Sequence, residues 1–423
     1  MKKSFALFFA ILLAVSCFSV SVADESTLPS GKICWLCNDY GESEAKLVEE
    51  YNKYNPNVQV DIEIYPRATL MEVIEVKLGA GDTSYDVLFV DQPLIASYAW
   101  KDYLLPLNDY FTEDQLSVFT EADLKAGYVG DELIALPLMS SSQVLMVNYD
   151  LLAQAGITLD EDYINLTKRI TWEDFRDICV QFMDTMDPDR SNGLWAFAWG
   201  QQNNVYQLLA LGNSLGADAI AADGVTVEGV LNTEPWIKAM QFYQDTYIAD
   251  SITPIGATDD ELKELFYAGK IAFYVANTIR SKAADFNIGG ILHPYFEGGE
   301  VTIPTGSWYL GINKTTTNFD CALDFLTWAV AGEGAEKWML INNQTPARKD
   351  LLENVVEGKY EGFDTWPKSA IKIGVSENLN GNGYPRPVSP GFLEFDTAMT
   401  QMFKDIRAGI DVTEALNSTA ANL

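Results

Sequence analysis

The segment KICWLCNDYGES, residues 32–43, carries a Cys-x-x-Cys pair, Cys34 and Cys37. Such a pair can act as a redox dithiol or supply half of a zinc site. In thiol oxidoreductases the pair opens a helix whose N-terminus stabilises a thiolate, whereas the apolar residues 33–36 predict a strand. Cα atoms three residues apart in a strand are separated by roughly 10 Å, and a disulfide allows about 7 Å. We therefore expect Cys34 in the core and Cys37 at the exit of the strand, with a disulfide only if the chain turns sharply at Leu36.

Few other residues could act in metal or nucleophilic chemistry. Cys179 and Cys321 lie within helical patterns and are predicted to be core residues, and the single histidine, His293, precedes a proline in a predicted exposed loop. A zinc site would need two further ligands beside Cys34 and Cys37, and these residues offer no second pair. The chain has no Walker loop, GxGxxG after a strand, GxSxG or HExxH motif. No catalytic residue, metal or cofactor is predicted.

Aromatic and amide side chains are the stronger candidates for a functional site. Trp199, Trp308, Trp366 and Tyr384 each lie in a Gly-, Pro- or polar-rich context. An aromatic face can stack on the apolar C–H patch of a sugar ring, while Asp, Asn, Gln and Arg bind the hydroxyl groups. This combination is typical of saccharide sites.

The first hundred residues predict the elements that position such side chains. Apolar runs of strand type alternate with helical spacing, which gives β-α-β-α-β and hence a parallel sheet flanked by helices. Ligands of such sheets bind beyond the carboxyl ends of the strands. We therefore expect Asn38 and Asp39, after the first strand, to share a rim with Asp91 and Gln92, after the third.

The N-terminus predicts export. Residues 1–23 combine a basic start, a short apolar run and small residues before Asp24, as in a secretory signal peptide. The residues before Cys17 loosely resemble a lipoprotein box, so a lipid anchor through Cys17 is the alternative to a free periplasmic or extracellular protein. No later segment is apolar for long enough to span a membrane.

The charge and composition exclude some functions. The 423 residues carry a net charge of −32 and are 48% hydrophobic. So acidic a surface repels nucleic acid and anionic lipid, and no nucleic-acid partner is expected. The length predicts two or three domain-sized units. Carboxylates are too numerous for a glycosidase pair to be singled out from the sequence.

Seven segments, in order, resemble the bacterial extracellular solute-binding proteins of ABC-type sugar importers, the maltose-binding-like family. They are EAKLVEEYNKYNPNVQVDIE, YDVLFVDQPLIASYAWKDYLLPLND, ALPLMSSSQVLMVNYDLLAQAGI, LFYAGKIAFYVAN, GSWYLGINKTT, QTPARKDL and RPVSPGF. Each motif is weak alone, but together they cover nearly the whole chain after the signal peptide.

The resemblance implies an α/β fold of two lobes, each a mainly parallel sheet flanked by helices, with a ligand cleft between them. Lobe one is expected at residues 27–148 plus 298–331, and lobe two at residues 149–297 plus 332–423. The lobes of a monomer would close on the ligand as a hinge and present it to a membrane permease, without catalysis.

The resemblance also implies positions for ligand contacts. Asp91 follows a strand where the family often has a sugar-contacting acid, and Asn277 stands where it usually has glycine. The complete set of predicted ligand-binding residues is Asn38, Asp39, Asp91, Gln92, Ser141, Gln143, Trp199, Asn277, Trp308, Arg348, Trp366, Tyr384 and Arg386. The loop at residues 37–39 departs from the family pattern, which leaves the identity of the ligand open.

The leading hypothesis is the substrate-binding component of an ABC importer for a mono- or oligosaccharide. The alternative keeps the fold and changes the ligand to a polyamine, a phosphorylated polyol or a peptide, since an acidic cleft would suit a cation. The remote alternative is an exported enzyme, such as a glycosidase or a dithiol oxidoreductase.

Overall fold

A computed structural model describes residues 28–423. The predicted signal peptide, residues 1–23, and Cys17 lie outside the described residues. Within residues 28–423, no helix combines the length and the apolar character needed to cross a bilayer.

The strands are short and spread along the whole chain. In order they are β1 (Gly31–Asn38), β2 (Val58–Tyr65), β3 (Val87–Asp91), β4 (Tyr128–Val129), β5 (Glu132–Leu133), β6 (Leu136–Pro137), β7 (Gln143–Asn148), β8 (Trp195–Trp199), β9 (Ile271–Asn277), β10 (Ile288–Ile291), β11 (Ile303–Thr305), β12 (Trp308–Ile312) and β13 (Gly383–Pro385).

The helices pack on both faces of the sheets. In order they are α1 (Ser43–Tyr54), α2 (Arg67–Gly79), α3 (Ile95–Trp100), α4 (Glu113–Leu116), α5 (Glu121–Lys125), α6 (Tyr149–Gln154), α7 (Glu161–Ile164), α8 (Trp172–Met186), α9 (Val205–Ser214), α10 (Glu234–Tyr247), α11 (Asp259–Tyr267), α12 (Phe319–Val330), α13 (Gly334–Asn342), α14 (Lys349–Val356), α15 (Lys368–Leu379), α16 (Phe392–Arg407) and α17 (Val412–Asn422).

The first sheet has the strand order β2-β1-β3-β12-β6. Strands β1, β2 and β3 are parallel and are joined by α1 and α2, so the predicted β-α-β-α-β unit is confirmed. Helix α1 follows its apolar spacing, with Leu47, Val48 and Tyr51 turned into the core. Strand β12 is antiparallel to β3 because the chain reaches it from the other lobe and not through a βαβ crossover.

The second sheet has the order β10-β7-β9-β8, and only β8 and β9 are parallel. The predicted two-lobed α/β class is confirmed, while the sheets are mixed and not mainly parallel. Strand β9 is buried along residues 271–276, as its apolar run predicts for a central strand.

The strand pairing moves two of the predicted lobe limits. Strand β7 belongs to the second sheet, so the first crossing lies before Gln143 and not after residue 148. Helix α13 packs on α1 and α12 of the first lobe, although residues 332–342 were assigned to lobe two. Both elements are apolar enough for either core, and only their long-range partners decide. The other lobe limits stay a prediction.

The burial of the cysteines and of the histidine agrees only in part with the prediction. Cys179 and Cys321 are core residues, as predicted. Cys37, expected at the rim, is fully buried, whereas Cys34, expected in the core, is half-buried, because Cys37 and not Cys34 points into the packed face of β1. His293, expected to be exposed, is 1% exposed, with its ring edge-on to Trp172. All four cysteines of the described residues are free thiols.

Candidate functional site

A polar cavity of about 150 Å³ lies between the two sheets. The residues around it come from both lobes and from the segments that cross between them. They are Tyr40, Arg67, Asp91, Ser141, Gln201, Asn204, Tyr206, Asn277, Ile279, Gly306, Ser307, Trp308, Gln344 and Arg386.

Strand ends place the first-lobe side chains. Asp91 is the last residue of β3, and Trp308, the first residue of β12, is paired with it across the antiparallel ladder. Tyr40 follows β1, and Arg67 opens α2 after β2. The cavity therefore lies at the carboxyl ends of the parallel strands, as expected for an open α/β sheet.

The second-lobe side chains follow β8 and β9. Asn277 ends β9, and Gln201 follows β8. Asn204 caps α9, its side chain accepting a hydrogen bond from the Tyr206 amide at 2.8 Å, and this cap fixes the first turn that carries Tyr206.

Two arginines hold Asp91 at the floor of the cleft. Arg67 donates from Nε and Nη2 to Oδ2 of Asp91, at 3.0 and 2.8 Å. Arg386 donates from Nη2 to Oδ1 at 2.5 Å and from Nη1 to Oδ2 at 3.2 Å. Burial alone would raise the pKa of Asp91, but the two guanidinium groups outweigh it and hold that pKa below its ordinary value. Asp91 is therefore ionised at neutral pH and is shared between two cations.

A hydroxyl chain joins the lobes beside this ion network. Tyr206 donates to Oγ of Ser141 at 2.7 Å, and Asn277 donates to the Tyr206 hydroxyl at 3.3 Å. Ser141 in turn donates to the carbonyl of Gly306. Burial raises the pKa of Tyr206 to about 12, so its hydroxyl keeps its proton. This series of hydrogen bonds connects the second lobe to two of the crossing segments.

An aromatic surface and a free acceptor complete the cleft. The ring of Trp308 stacks on Phe89, with centroids 4.9 Å apart and planes at 16°, which fixes its orientation at the cavity wall. Oε1 of Gln201 is buried and has no hydrogen-bond partner among the described residues. A ligand hydroxyl would satisfy this acceptor.

Five of the thirteen predicted ligand-binding residues line the cavity: Asp91, Ser141, Asn277, Trp308 and Arg386. The sequence features that selected these residues were the ends of strands, the polar break before β7 and the loops near the C-terminus. Their role in ligand binding stays a prediction.

Three predicted residues lie in the interior and not at the cavity. Gln92 donates from Nε2 to the carbonyl of Arg386 at 3.1 Å, and Gln143 accepts from Gln207 at 2.9 Å. Trp199 is fully buried and donates to Thr246 at 3.4 Å. This burial contradicts a stacking role for Trp199, whose ring packs against Trp172 of α8 and Tyr243 of α10.

The remaining five predicted residues lie outside the cavity lining. Asn38 is buried beside the Tyr40 hydroxyl, and Asp39 accepts from the Gly41 amide at 2.9 Å. Arg348 donates to the carbonyls of Ala331 and Gly332 at the end of α12. The other contacts are Trp366 with the Lys282 carbonyl and Tyr384 with Asp218.

Nine lining residues were not predicted from the sequence. They are Tyr40, Arg67, Gln201, Asn204, Tyr206, Ile279, Gly306, Ser307 and Gln344. Arg67 follows the carboxyl end of β2, so the strand-end rule that selected Asp91 would have found it. The amide cluster in WGQQNNVYQ marked the Gln201–Tyr206 segment, but only its tryptophan was selected.

The described residues contain no group of three or more His, Cys, Asp or Glu side chains placed to hold a metal ion. Burial raises the pKa of Cys34 to about 11 and that of Cys37 well above its ordinary value, which disfavours a reactive thiolate at either position. The cavity offers hydrogen-bonding groups, an aromatic face and fixed charge, which suit binding of a polar solute.

Two α/β lobes joined by crossing segments around a polar cleft define a solute-binding protein of the two-lobed periplasmic type. The model of the family described as bacterial extracellular solute-binding protein matches residues 38–336. The chain belongs to this family.

Solved structures with the same fold cover nearly the whole chain. An ABC substrate-binding protein of Listeria monocytogenes in complex with cycloalternan has a TM-score of 0.78 at 17% identity, over 93% of this chain and 98% of that one. Maltose-bound MalE3 of T. maritima has a TM-score of 0.73 at 20% identity, over 92% and 98%. A solute-binding protein of Agrobacterium radiobacter in complex with ribitol has a TM-score of 0.74 at 18% identity, over 93% and 98%. At these identities the likeness establishes the fold.

Proposed function

We propose that the protein is the substrate-binding component of an ABC importer and captures a mono- or oligosaccharide outside the cytoplasmic membrane. The observation that carries the proposal is the cleft itself, where the fixed face of Trp308 meets amide and hydroxyl groups of the opposite lobe. Sugars present both an apolar face and a ring of hydroxyls, and this lining complements both. The solved structures of the same fold support this choice, since their bound ligands are sugars and polyols.

The proposed cycle is capture, hinge closure and release to a membrane permease, with the solute unchanged. The three crossings, between β6 and β7, between β10 and β12, and between α13 and α15, are the segments about which the lobes would rotate. The family is described as extracellular, which supports the predicted export. The same proposal includes a monomeric protein that is either free or lipid-anchored through Cys17.

The cleft gives less support to the alternatives. A polyamine would meet two arginines and one aspartate, which repels a cation overall. A cavity of about 150 Å³ is small for a peptide, and among saccharides it suits a monosaccharide better than a long oligosaccharide. A glycosidase needs two carboxylates across the scissile bond, and Asp91, the single carboxylate of the lining, is held by two arginines.

A thermal-shift screen of the chain without its signal peptide, against a panel of sugars, polyols, polyamines and peptides, tests the proposal. We expect at least one sugar or polyol to raise the melting temperature. Gln201→Ala should reduce that shift, because the ligand would lose the acceptor Oε1 of Gln201, which has no hydrogen-bond partner within residues 28–423. Gln241→Ala, on the exposed face of α10, is the matched control and should leave the shift unchanged. If only a non-carbohydrate class gives a shift, the saccharide proposal fails.

A further inference from the structure

The cleft carries a charge opposite to that of the whole chain. Among its described lining residues the groups that are charged at neutral pH are Arg67, Arg386 and Asp91, a local net charge of +1. The chain as a whole carries −32. A neutral sugar accepts hydrogen bonds from a guanidinium group, whereas an anionic sugar gains ion pairing as well, and ion pairing strengthens where water is excluded.

Arg67 is the cation that a ligand can reach. Its Nε and Nη2 are engaged by Asp91, and Nη1 has no hydrogen-bond partner among the described residues. The side chain of Arg67 is 41% exposed, whereas that of Arg386 is 8% exposed and points both Nη atoms at Asp91. Asp91 therefore fixes the orientation of the Arg67 guanidinium and leaves one donor open to the cleft.

Two further carboxyl groups lie near the cleft. Asp396 lies close enough to both arginines to interact with them, but burial raises its pKa. Glu44 accepts from the Tyr40 amide at 2.9 Å, and burial raises its pKa to about 7. Neither residue belongs to the cavity lining. Burial opposes ionisation of both groups, and Asp396 acts on the two arginines from outside the lining, so the charge of +1 is that of the lining groups alone.

We propose that the cleft takes a monosaccharide-sized sugar acid, a uronate or an aldonate, with Nη1 of Arg67 donating to its carboxylate. This inference rests on the proposed function and narrows its ligand class. A cavity of about 150 Å³ suits one sugar unit. One carboxylate neutralises a local charge of +1, whereas a phosphate dianion would leave a net negative charge next to Asp91.

The test is calorimetric titration of the chain without its signal peptide with matched probes. In the gluco, galacto and manno series, the probes are the neutral hexose, the hexuronate, the hexonate and the hexose 6-phosphate. We expect the carboxylate forms of one series to bind ~10-fold or more tightly than the neutral hexose. Raising NaCl from about 20 to about 500 mM should weaken the carboxylate affinity more than the hexose affinity.

Variants of Arg67 give a second readout. Arg67→Gln should lower the carboxylate affinity ~10-fold or more and by a larger factor than the hexose affinity, with Arg67→Lys in between. Arg176→Gln is the matched control, since Arg176 pairs with Asp250 away from the cavity. If Arg67→Gln does not fold, the probe series and the salt dependence of the unmodified chain still decide whether the cleft prefers a carboxylate.

Each other outcome has one meaning. Equal or tighter binding of the neutral hexose overturns the carboxylate inference and leaves the proposed function standing. Tightest binding of the hexose 6-phosphate overturns it in favour of a phosphate ligand. If the broad panel of the preceding screen contains no sugar or polyol that binds, the proposed function itself fails.

Discussion

The two tryptophans at strand ends show how one residue type acquires two roles. Trp199 ends β8 and Trp308 opens β12, and both stand in polar sequence contexts. Trp199 is enclosed by aromatic side chains of α8 and α10, such as Trp172 and Tyr243. The ring of Trp308 stacks on Phe89, and Trp308 also lines the cavity. The sequence predicts two aromatic candidates, but only the packing of distant helices separates core from cleft.

We expect Trp308→Ala to reduce ligand affinity ~10-fold, because it removes the stacking surface for a sugar ring. Trp199→Phe is the comparison, and it should lower the free energy of unfolding and leave the affinity within ~2-fold, because Trp199 lies in the core. Calorimetric titration and urea unfolding of both variants measure the two effects. Equal losses of affinity would show that Trp308 acts through stability and not through contact.

Arg348 illustrates a residue that the family resemblance placed in the cleft and the structure places elsewhere. Its Nη1 donates to the carbonyls of Ala331 and Gly332, at 2.8 and 2.7 Å, where α12 ends. Last-turn carbonyls of a helix lack intrahelical donors, so a guanidinium there both satisfies them and interacts favourably with the helix dipole. A motif match fixed the position of Arg348 in the chain, but not the direction of its side chain.

At the scale of elements, we expect Arg348→Ala to lower the free energy of unfolding by ~1–2 kcal/mol, since two helix-end carbonyls lose a charged donor. Ligand affinity should stay within ~2-fold. Urea unfolding followed by circular dichroism measures the first quantity and calorimetry the second. A tenfold loss of affinity with unchanged stability would restore the predicted role of Arg348 in ligand binding.

The crossing segments are tied together by a buried hydroxyl and carboxyl cluster. Ser140, in the first crossing, donates to Oδ1 of Asp123 at 2.9 Å and lies 3.1 Å from Oγ1 of Thr305 in the second. Asn378, in α15, donates to Ser140 at 3.0 Å. Hydrogen bonds from Ser140 and Thr120 favour the ionised Asp123, but burial dominates and raises its pKa to about 6. The crossing segments therefore contact a carboxyl group of α5 whose charge is costly at neutral pH.

The sign of the resulting pH dependence follows from the raised pKa of Asp123, about 6 against an ordinary 3.8. The folded state holds this proton more tightly than the unfolded state, so the stability it contributes is complete below about pH 4 and is lost as pH rises through about 6. Asp123→Asn should therefore raise the melting temperature relative to the unmodified chain at about pH 7.5 and not at about pH 4. The free-energy difference is at most ~3 kcal/mol.

Melting curves of Asp123→Asn and of the unmodified chain across this pH range provide the measurement. Asp131→Asn, at an exposed position, is the control and should show no pH-dependent difference. Glu44, whose pKa burial raises to about 7, contributes a slope of the same sign in both proteins, so only their difference reports on Asp123. A difference that is constant with pH would contradict the assignment.

Elements near in sequence were predictable and distant pairings were not. The β-α-β-α-β unit follows from local periodicity, since each connection is short and parallel neighbours follow from the fold class. The lobe to which β7 belongs does not follow from local periodicity, because the apolar run of β7 fits either sheet. Its partner strand β9 begins only at Ile271, far along the chain. The same limit applies to α13. Local pattern fixes what an element is, while long-range contacts fix where it packs.

At the scale of the molecule, the cleft and the surface carry opposite charge. The acidic composition is the reason why no nucleic-acid partner is expected, but it does not predict the charge of the cleft, because net charge says nothing about where the few arginines lie. Strand-end geometry located the cleft between the lobes. The charge at the floor of the cleft could not be predicted from the sequence, because it depends on the pairing of Arg386 with Asp91, which are 295 positions apart in the chain.

The central claim is that one sugar binds between the two lobes. Titration calorimetry of the strongest ligand from the screen, with the unmodified chain and with Gln201→Ala/Trp308→Ala, tests it most directly, since these residues face the cavity from opposite lobes. The account predicts one site per chain and an affinity lowered ~100-fold or more in the double variant. A different stoichiometry, or an affinity that the double variant leaves unchanged, would contradict it.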